Sequence, residues 1–200
     1  MGIFYRIIIL AWLLISLTAI QATEFDLGFK FGGDNIGLPH PRGSKDPKGI
    51  AAGFFVEHKL SKMHSLQLEL SYAYRERQWA RLSFWNTGHY FDIAALTKVF
   101  PPAQKRIIPY IYIGPVFTTL AKGGTRGPVS DQMDDYYLKS DRIYFSYTIG
   151  GGFDFNMAGV SSTFDIRIIR EITSSRNVVS FKSNYASVTF GIGFNKPNVP

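Results

Sequence analysis

Few side chains in this sequence are placed to do chemistry. His40, His58, His64 and His89 are scattered, without the spacing of a metal site, and there is no cysteine to supply a thiolate. Glu57 and His58 are adjacent, but on a strand neighbouring side chains point to opposite faces, so the two diverge. His89 near Ser83 is the other acid–base pair to weigh, of the kind a lipid-modifying barrel enzyme would need. Asp131, Asp134 and Asp135 in "SDQMDDYY" could offer oxygen ligands to calcium, but a solvated acidic loop is the simpler reading. "GGTRG" lacks the Gly-Lys-Ser/Thr ending of a phosphate-binding loop, and "GGG" at 150–152 sits inside a strand pattern. These residues call for no catalytic centre, metal or cofactor.

A different set of charges recurs with a period. Lys30, Glu57, Lys59, Glu69, Arg75, Asp92, Lys98, Asp154, Asp165 and Arg167 each alternate with bulky apolar neighbours. Period two is the signature of β-strands, and it runs through eight segments. "SLQLELSYAYR" sets Leu66, Leu68, Leu70, Tyr72 and Tyr74 against Gln67, Glu69, Ser71, Ala73 and Arg75. "FDLGFKFGG", "GIAAGFFVEHKL", "HYFDIAALTKVF", "RIYFSYTIGGGFDF", "VSSTFDIRIIREI" and "SVTFGIGF" behave alike, while "IIPYIYIGPVFTTL" is apolar on both faces and leaves its parity open. No helix is evident in residues 23–200.

The N-terminal "MGIFYRIIILAWLLISLTAIQA" has one cation, a short apolar run and small residues, the pattern of a secretory signal peptide over 1–22 rather than of a membrane anchor. The remainder, 23–200, reads as one domain. Hydrophobic residues make up 46%, too few for a helical membrane protein of this size, while aromatics at 16% are abundant. The formal charge of +7 is spread without a Lys/Arg run, which argues against nucleic acid.

Connections between the eight segments alternate. "GDNIGLPHPRGSKDPK", "ERQWARLSFWNTG", "AKGGTRGPVSDQMDDYYLKSD" and "TSSRNVVSFKSN" are long, whereas "SKMH", "PPAQKRI" and "NMAG" are short. In a meander this puts long loops at one end and tight turns at the other, as in transmembrane barrels. A soluble lipocalin-like barrel would turn its apolar face inward. Eight strands enclose too little room for the Leu and Phe side chains here, but enough for small residues and paired charges. The fold predicted is therefore all-β: an eight-stranded antiparallel up-and-down transmembrane barrel in a bacterial outer membrane. The ten charges form a lumenal network, with acids and bases paired because unpaired ones would be costly inside.

Two aromatic groups would mark the membrane interfaces: Phe25, Phe100, Tyr110, Phe155 and Phe194 at the turn end, and Tyr72, Tyr74, Tyr90, Phe91 and Tyr147 at the loop end. Arg75, Arg77 and Arg81, with Arg42, Lys45 and Lys48, are either ordinary rim charges or contacts to lipopolysaccharide phosphates. The order of "YFDIAALTKVF", "IIPYIYIGPVF", "YTIGGGFDF", "FDIRIIREITSS" and "SVTFGIGF" resembles the PorT-like outer-membrane barrels of Bacteroidetes over roughly positions 90–194. Ile168 stands after Arg167 where that group has an aromatic, and "NKPNVP" follows Phe194. The resemblance implies an outer-membrane barrel and no single activity. Phe190, Ile192 and Phe194 of the closing strand resemble the signal read by barrel-assembly machinery. Expected partners are outer-membrane lipid and lipopolysaccharide, that machinery, and a protein bound at the loops.

Overall fold

In a computed structural model, residues 25–36, 44–79, 84–102, 107–126, 143–157, 160–172 and 184–194 are described. They form eight strands: β1 (Phe25–Ile36), β2 (Ser44–Lys59), β3 (His64–Trp79), β4 (Phe84–Val99), β5 (Ile107–Arg126), β6 (Ile143–Met157), β7 (Val160–Glu171) and β8 (Asn184–Gly193). Each pairs antiparallel with the next, and β8 closes on β1. The predicted signal peptide, 1–22, lies outside the described residues.

The register fixes the size of the barrel. From Lys30, paired residues run through Gly53, Ser71, Asp92 and Thr118 to Tyr144 on β6. In the other direction they run through Gly191 and Thr163 to Asp154 on the same strand. The ladder thus closes with a stagger of 154 − 144 = 10 residues. With a rise of about 3.3 Å per residue and strands about 4.8 Å apart, that stagger tilts the strands by about 40°. The backbone radius is then about 8 Å, which side chains can fill.

The barrel is turned inside out relative to a soluble one. Large apolar side chains lie exposed on the outer wall of every strand from β1 to β7, among them Phe31, Phe54, Leu70, Ile93, Ile113, Ile149 and Ile166. Lys30, Glu69, Lys98, Asp165 and Arg167 are buried. In water such a belt would be unstable, whereas against lipid it is the favourable arrangement. The belt ends gradually on β3–β5. Paired rows change from Leu70–Ile93–Phe117 to Tyr72–Phe91–Thr119, then Tyr74–His89–Lys122, then Glu76–Thr87–Gly124. The third row, where aromatic and cationic residues replace aliphatic ones, has the composition of a membrane interface.

Strands β2 to β5 continue beyond that row. β1 pairing with β2 stops at Asp34–Gly49, yet β3 pairs with β4 as far as Trp79–Phe84 and β4 with β5 as far as Trp85–Arg126. Among the described residues, β2 to β5 therefore continue above that row as a four-stranded sheet. This corrects the predicted loop between the third and fourth strands: most of "ERQWARLSFWNTG" is strand, and only 80–83 separate β3 from β4. Beyond that row the apolar–polar alternation that betrays a strand disappears from the sequence, while the hydrogen-bonded pairing continues. Long and short connections consequently do not alternate strictly.

Candidate functional site

The lumenal side chains form three tiers. In the middle tier, Lys30 on β1 reaches Glu69 Oε1 on β3 at 2.7 Å and Asp165 Oδ2 on β7 at 2.6 Å. Arg167, two residues along β7 and so on the same face, donates to Glu69 Oε2 at 2.6 Å. Gln67 donates to Glu69 Oε1 at 2.5 Å, Thr189 to Asp165 Oδ2 at 3.2 Å, and the Tyr110 hydroxyl to Asp165 Oδ1. Two cations and two carboxylates thus cross-link β1, β3 and β7, strands that are not neighbours in the wall.

The tier nearest the turns centres on Lys98 of β4, 1% exposed. Its ammonium lies 2.7 Å from Glu57 and 3.5 Å from Asp154, and 3.9 Å from the Tyr110 ring centroid. Ser65 donates to the second oxygen of Glu57 at 2.7 Å. The tier nearest the loops centres on Arg75. It pairs with Asp34 at 2.7 Å and with Asp92, and its guanidinium lies between the rings of Tyr90 and Tyr185, 5.0 and 4.6 Å from their centroids. Thr118 completes the tier with a 2.7 Å hydrogen bond to Asp92.

Small residues make room for these groups. A Cβ on Gly191 would fall 2.5 Å from Thr163 Oγ1 and 2.9 Å from Lys30 Cγ. On Gly152 it would fall 2.0 Å from the Phe164 carbonyl oxygen and 2.8 Å from the Tyr110 hydroxyl. Gly152 pairs with Tyr110 on one side and Asp165 on the other, so the tyrosine spans the glycine to reach the carboxylate. The bare faces of β6 and β8 are slots for their neighbours' side chains.

Nine of the ten charges singled out in the sequence, all but Lys59, lie in these tiers. Lys59, the last residue of β2, has the lumenal parity but is exposed, because the wall ends there and water solvates it. Asp34, Tyr112, Thr118 and Tyr185 were not singled out. Asp34 continues the parity of Lys30, and that was its available signal. The open parity of β5 is resolved with even residues inward, so Tyr110 and Tyr112 are lumenal. Three expected interfacial aromatics are therefore corrected. Tyr110 and Phe100 pack in the lumenal cluster with Leu96, and Tyr90 lies against Arg75. Phe25, Phe155 and Phe194 keep to the outer wall at the turn end; Tyr72, Tyr74, Phe91 and Tyr147 do so at the loop end.

Arg75 also leaves the group set against lipid phosphates, since its charge is taken up by two lumenal carboxylates. Arg42 and Arg81 lie outside the described residues. His58 packs against Phe25 on the outer wall, away from Glu57, and His89 bonds Tyr72; Ser83 and Asp131, Asp134 and Asp135 lie outside the described residues. Among the described residues no group of three or more His, Asp or Glu is arranged to hold a metal.

Phe190, Ile192 and Phe194 share the lipid face of the closing strand. Phe190 packs between Phe31 and Phe155, 5.6 and 6.3 Å between centroids, and the Phe194 N–H donates to Leu27 O at 2.7 Å.

The same fold occurs in solved structures. Neisserial surface protein A superposes with a TM-score of 0.53 at 11% identity, over 84% of this chain and 95% of that one. Outer membrane protein W of E. coli gives 0.49 at 9% over 84% and 96%, and OprG of Pseudomonas aeruginosa, also an outer membrane protein, 0.48 at 12% over 86% and 94%. This chain has the fold of an eight-stranded outer-membrane β-barrel. With its apolar belt, that fold makes it a bilayer-spanning protein of the bacterial outer membrane. No protein-family model and no curated protein matches the sequence.

Proposed function

We propose that this outer-membrane barrel acts by contact, as a structural or surface-interaction protein working at its loop end, and that it neither conducts solutes nor catalyses a reaction. The observation that carries the reading is the three-tiered lumen. Ion pairs at 2.6–2.7 Å join strands that are not neighbours in the wall at every level, leaving fixed, paired charges where a channel would need water. The lumenal groups are also committed to one another, which leaves no acid–base pair among them poised for a substrate. On this reading the loop end faces the cell exterior, where a protein partner and outer-leaflet lipopolysaccharide are met. Among outer-membrane barrels, the order of motifs over 90–194 favours the PorT-like group.

The closing strand fits a role in assembly. Phe190, Ile192 and Phe194 present one apolar face, and Phe194→Ala is expected to lower membrane insertion with no effect on the lumenal tiers. Normal insertion of that variant would leave β8 as a stave only. The contact reading is tested by conductance of the purified barrel in planar bilayers, where silence is expected; steady ion-selective current would overturn it. Mass spectrometry of lipid A with and without the gene tests the enzymatic alternative, since a defined mass change would establish catalysis.

A further inference from the structure

Every seam in the barrel wall but one joins strands that follow each other in the chain and are tied by a connection. The exception lies between β1 and β8, where the first strand meets the last and noncovalent contacts alone hold the two sides. That seam can part without stretching any connection. Local opening of a folded protein begins where the fewest contacts have to be given up.

The lumenal face of this seam is nearly bare. β1 presents Gly28, Lys30 and Gly32, and β8 presents Gly193, Gly191 and Thr189 opposite them. Lys30 is the one long side chain among these six. Its stem lies over Gly191, where an added Cβ would fall 2.9 Å from Lys30 Cγ. Past β8 its ammonium meets Asp165 Oδ2 of β7 at 2.6 Å. The lysine thus straps the first strand to the seventh across the eighth. On the lipid side the seam is covered by Phe31 against Phe190, 5.6 Å between centroids.

The remaining lumenal ion pairs do not bind this seam directly. Those of Lys30 with Glu69, of Arg75 with Asp34 and Asp92, and of Lys98 with Glu57 and Asp154 all lie within β1 to β6. Arg167–Glu69 joins β7 to β3, four strands away in either direction round the wall. At the loop end the Arg75 guanidinium also lies 4.6 Å from the Tyr185 ring centroid of β8, a ring contact rather than an ion pair. The Lys30–Asp165 pair has a further property: both partners have somewhere to fall back. When β1 and β8 part, Lys30 moves with β1 and keeps Glu69 of β3. Asp165 stays with β7 and keeps the Tyr110 hydroxyl and Thr189 of β8 as donors. Neither buried charge is left bare, so the pair can open without the penalty of an orphaned ion.

We infer that Lys30–Asp165 is a releasable latch on the β1–β8 seam, and that this seam is the part of the wall that opens, sideways to the bilayer, while the other seams stay paired. With the latch shut the lumen is filled from wall to wall. The inference concerns the wall and does not depend on which end of the barrel faces the cell exterior.

The test is amide hydrogen exchange, residue by residue, on the full barrel in nanodiscs. Successive residues of a strand aim their N–H groups to opposite sides, so within 28–33 and 187–193 alternate amides point across the seam and the others point to β2 and β7. In the unaltered protein the seam-directed set is expected to exchange first. Lys30→Met and Asp165→Asn are each expected to speed that set at least about tenfold, while the amides directed to β2 and β7 and those of β3 and β4 stay within about twofold. Gly33 and Val188 are partners across the seam on the lipid face, and the chain has no cysteine of its own. Bridging Gly33→Cys to Val188→Cys with a short bis-maleimide in the Lys30→Met background is expected to restore slow exchange at the seam. Equal acceleration of all strands in the two latch variants would overturn the inference, leaving Lys30 an ordinary buried charge. So would a cross-link that restores nothing. Where Lys30→Met fails to fold, Asp165→Asn and the order of exchange in the unaltered barrel decide, and a hairpin seam that opens before β1–β8 would overturn the inference as well.

Discussion

The middle of the lumen and the sheet above the rim use the same residue types, glycines and charges, under opposite conditions. Inside, a Cβ added to Gly152 or Gly191 would overlap a neighbour, whereas above the rim one on Gly124 would meet no described atom closer than Thr87 Oγ1 at 3.7 Å. Inside, Glu69 holds Lys30 and Arg167 together; above the rim Lys122 is exposed. In the lumen, residue identity is dictated by packing and desolvation, so substitutions there should be costly. On the protruding sheet neither constraint acts, and substitutions should be cheap for the fold. Four variants, taken in order of falling effect, probe that contrast.

Glu69→Leu should cost most. It removes the acceptor shared by Lys30, Arg167 and Gln67 and leaves a buried guanidinium without its carboxylate. Removing one partner of a buried pair costs about 3–5 kcal/mol. Chemical unfolding in detergent should show a loss of that size; one below about 1 kcal/mol would mean that water reaches the tier and screens it. Next comes Gly152→Val, which drives a side chain into the Phe164 carbonyl and the Tyr110 hydroxyl. Overpacking of a filled interior costs about 1–3 kcal/mol. The added Phe variant, Tyr110→Phe with Gly152→Val, should recover little, because the backbone clash remains.

Arg75→Ala should cost less than Glu69→Leu. Its side chain is 16% exposed, against 5% for that of Glu69, so the two acids it leaves, Asp34 and Asp92, are nearer to water. Thr118 also still donates to Asp92. A loss of about 1–2 kcal/mol is expected from the hydrogen bonds to charged groups. If Arg75→Ala instead matched Glu69→Leu, the tiers would act as one network rather than as a dry centre with a wetter rim.

The same contrast explains what the sequence revealed. Alternation was strong wherever one face met lipid and the other a crowded lumen, as in "SLQLELSYAYR", so the strand count and the inward parity of Glu69 and Arg167 were readable. It failed in two places. In β5 the lumenal face carries Tyr110, Tyr112, Val116 and Leu120, apolar like the lipid face, because these rings fill the slots opposite Gly150 and Gly152. Parity there was legible only through the partner strand's glycines. Beyond the Tyr74–His89 row β3 and β4 lose the alternation, and polar strand became indistinguishable from loop. Which acid meets which base was also out of reach, since Lys30 and Asp165 are 135 positions apart and meet through barrel closure.

Gly124→Ala is the smallest predicted effect and the most discriminating. If residue identity on the protruding sheet were set by the fold, as it is at Gly152, adding a methyl would destabilise the barrel. The nearest described atom to that methyl is Thr87 Oγ1 at 3.7 Å, and the backbone there does not need a glycine's conformational freedom. Glycine in a strand is, if anything, weaker than residues with a side chain. The expected change in unfolding free energy is therefore within about 0.5 kcal/mol of zero. Gly191→Ala, measured beside it, should destabilise clearly, because its Cβ falls within 2.9 Å of Lys30 and Thr163. Equal effects at the two positions would erase the distinction between lumen and protruding sheet. A neutral Gly124→Ala would instead mean that stability does not require this glycine, as the 3.7 Å contact predicts.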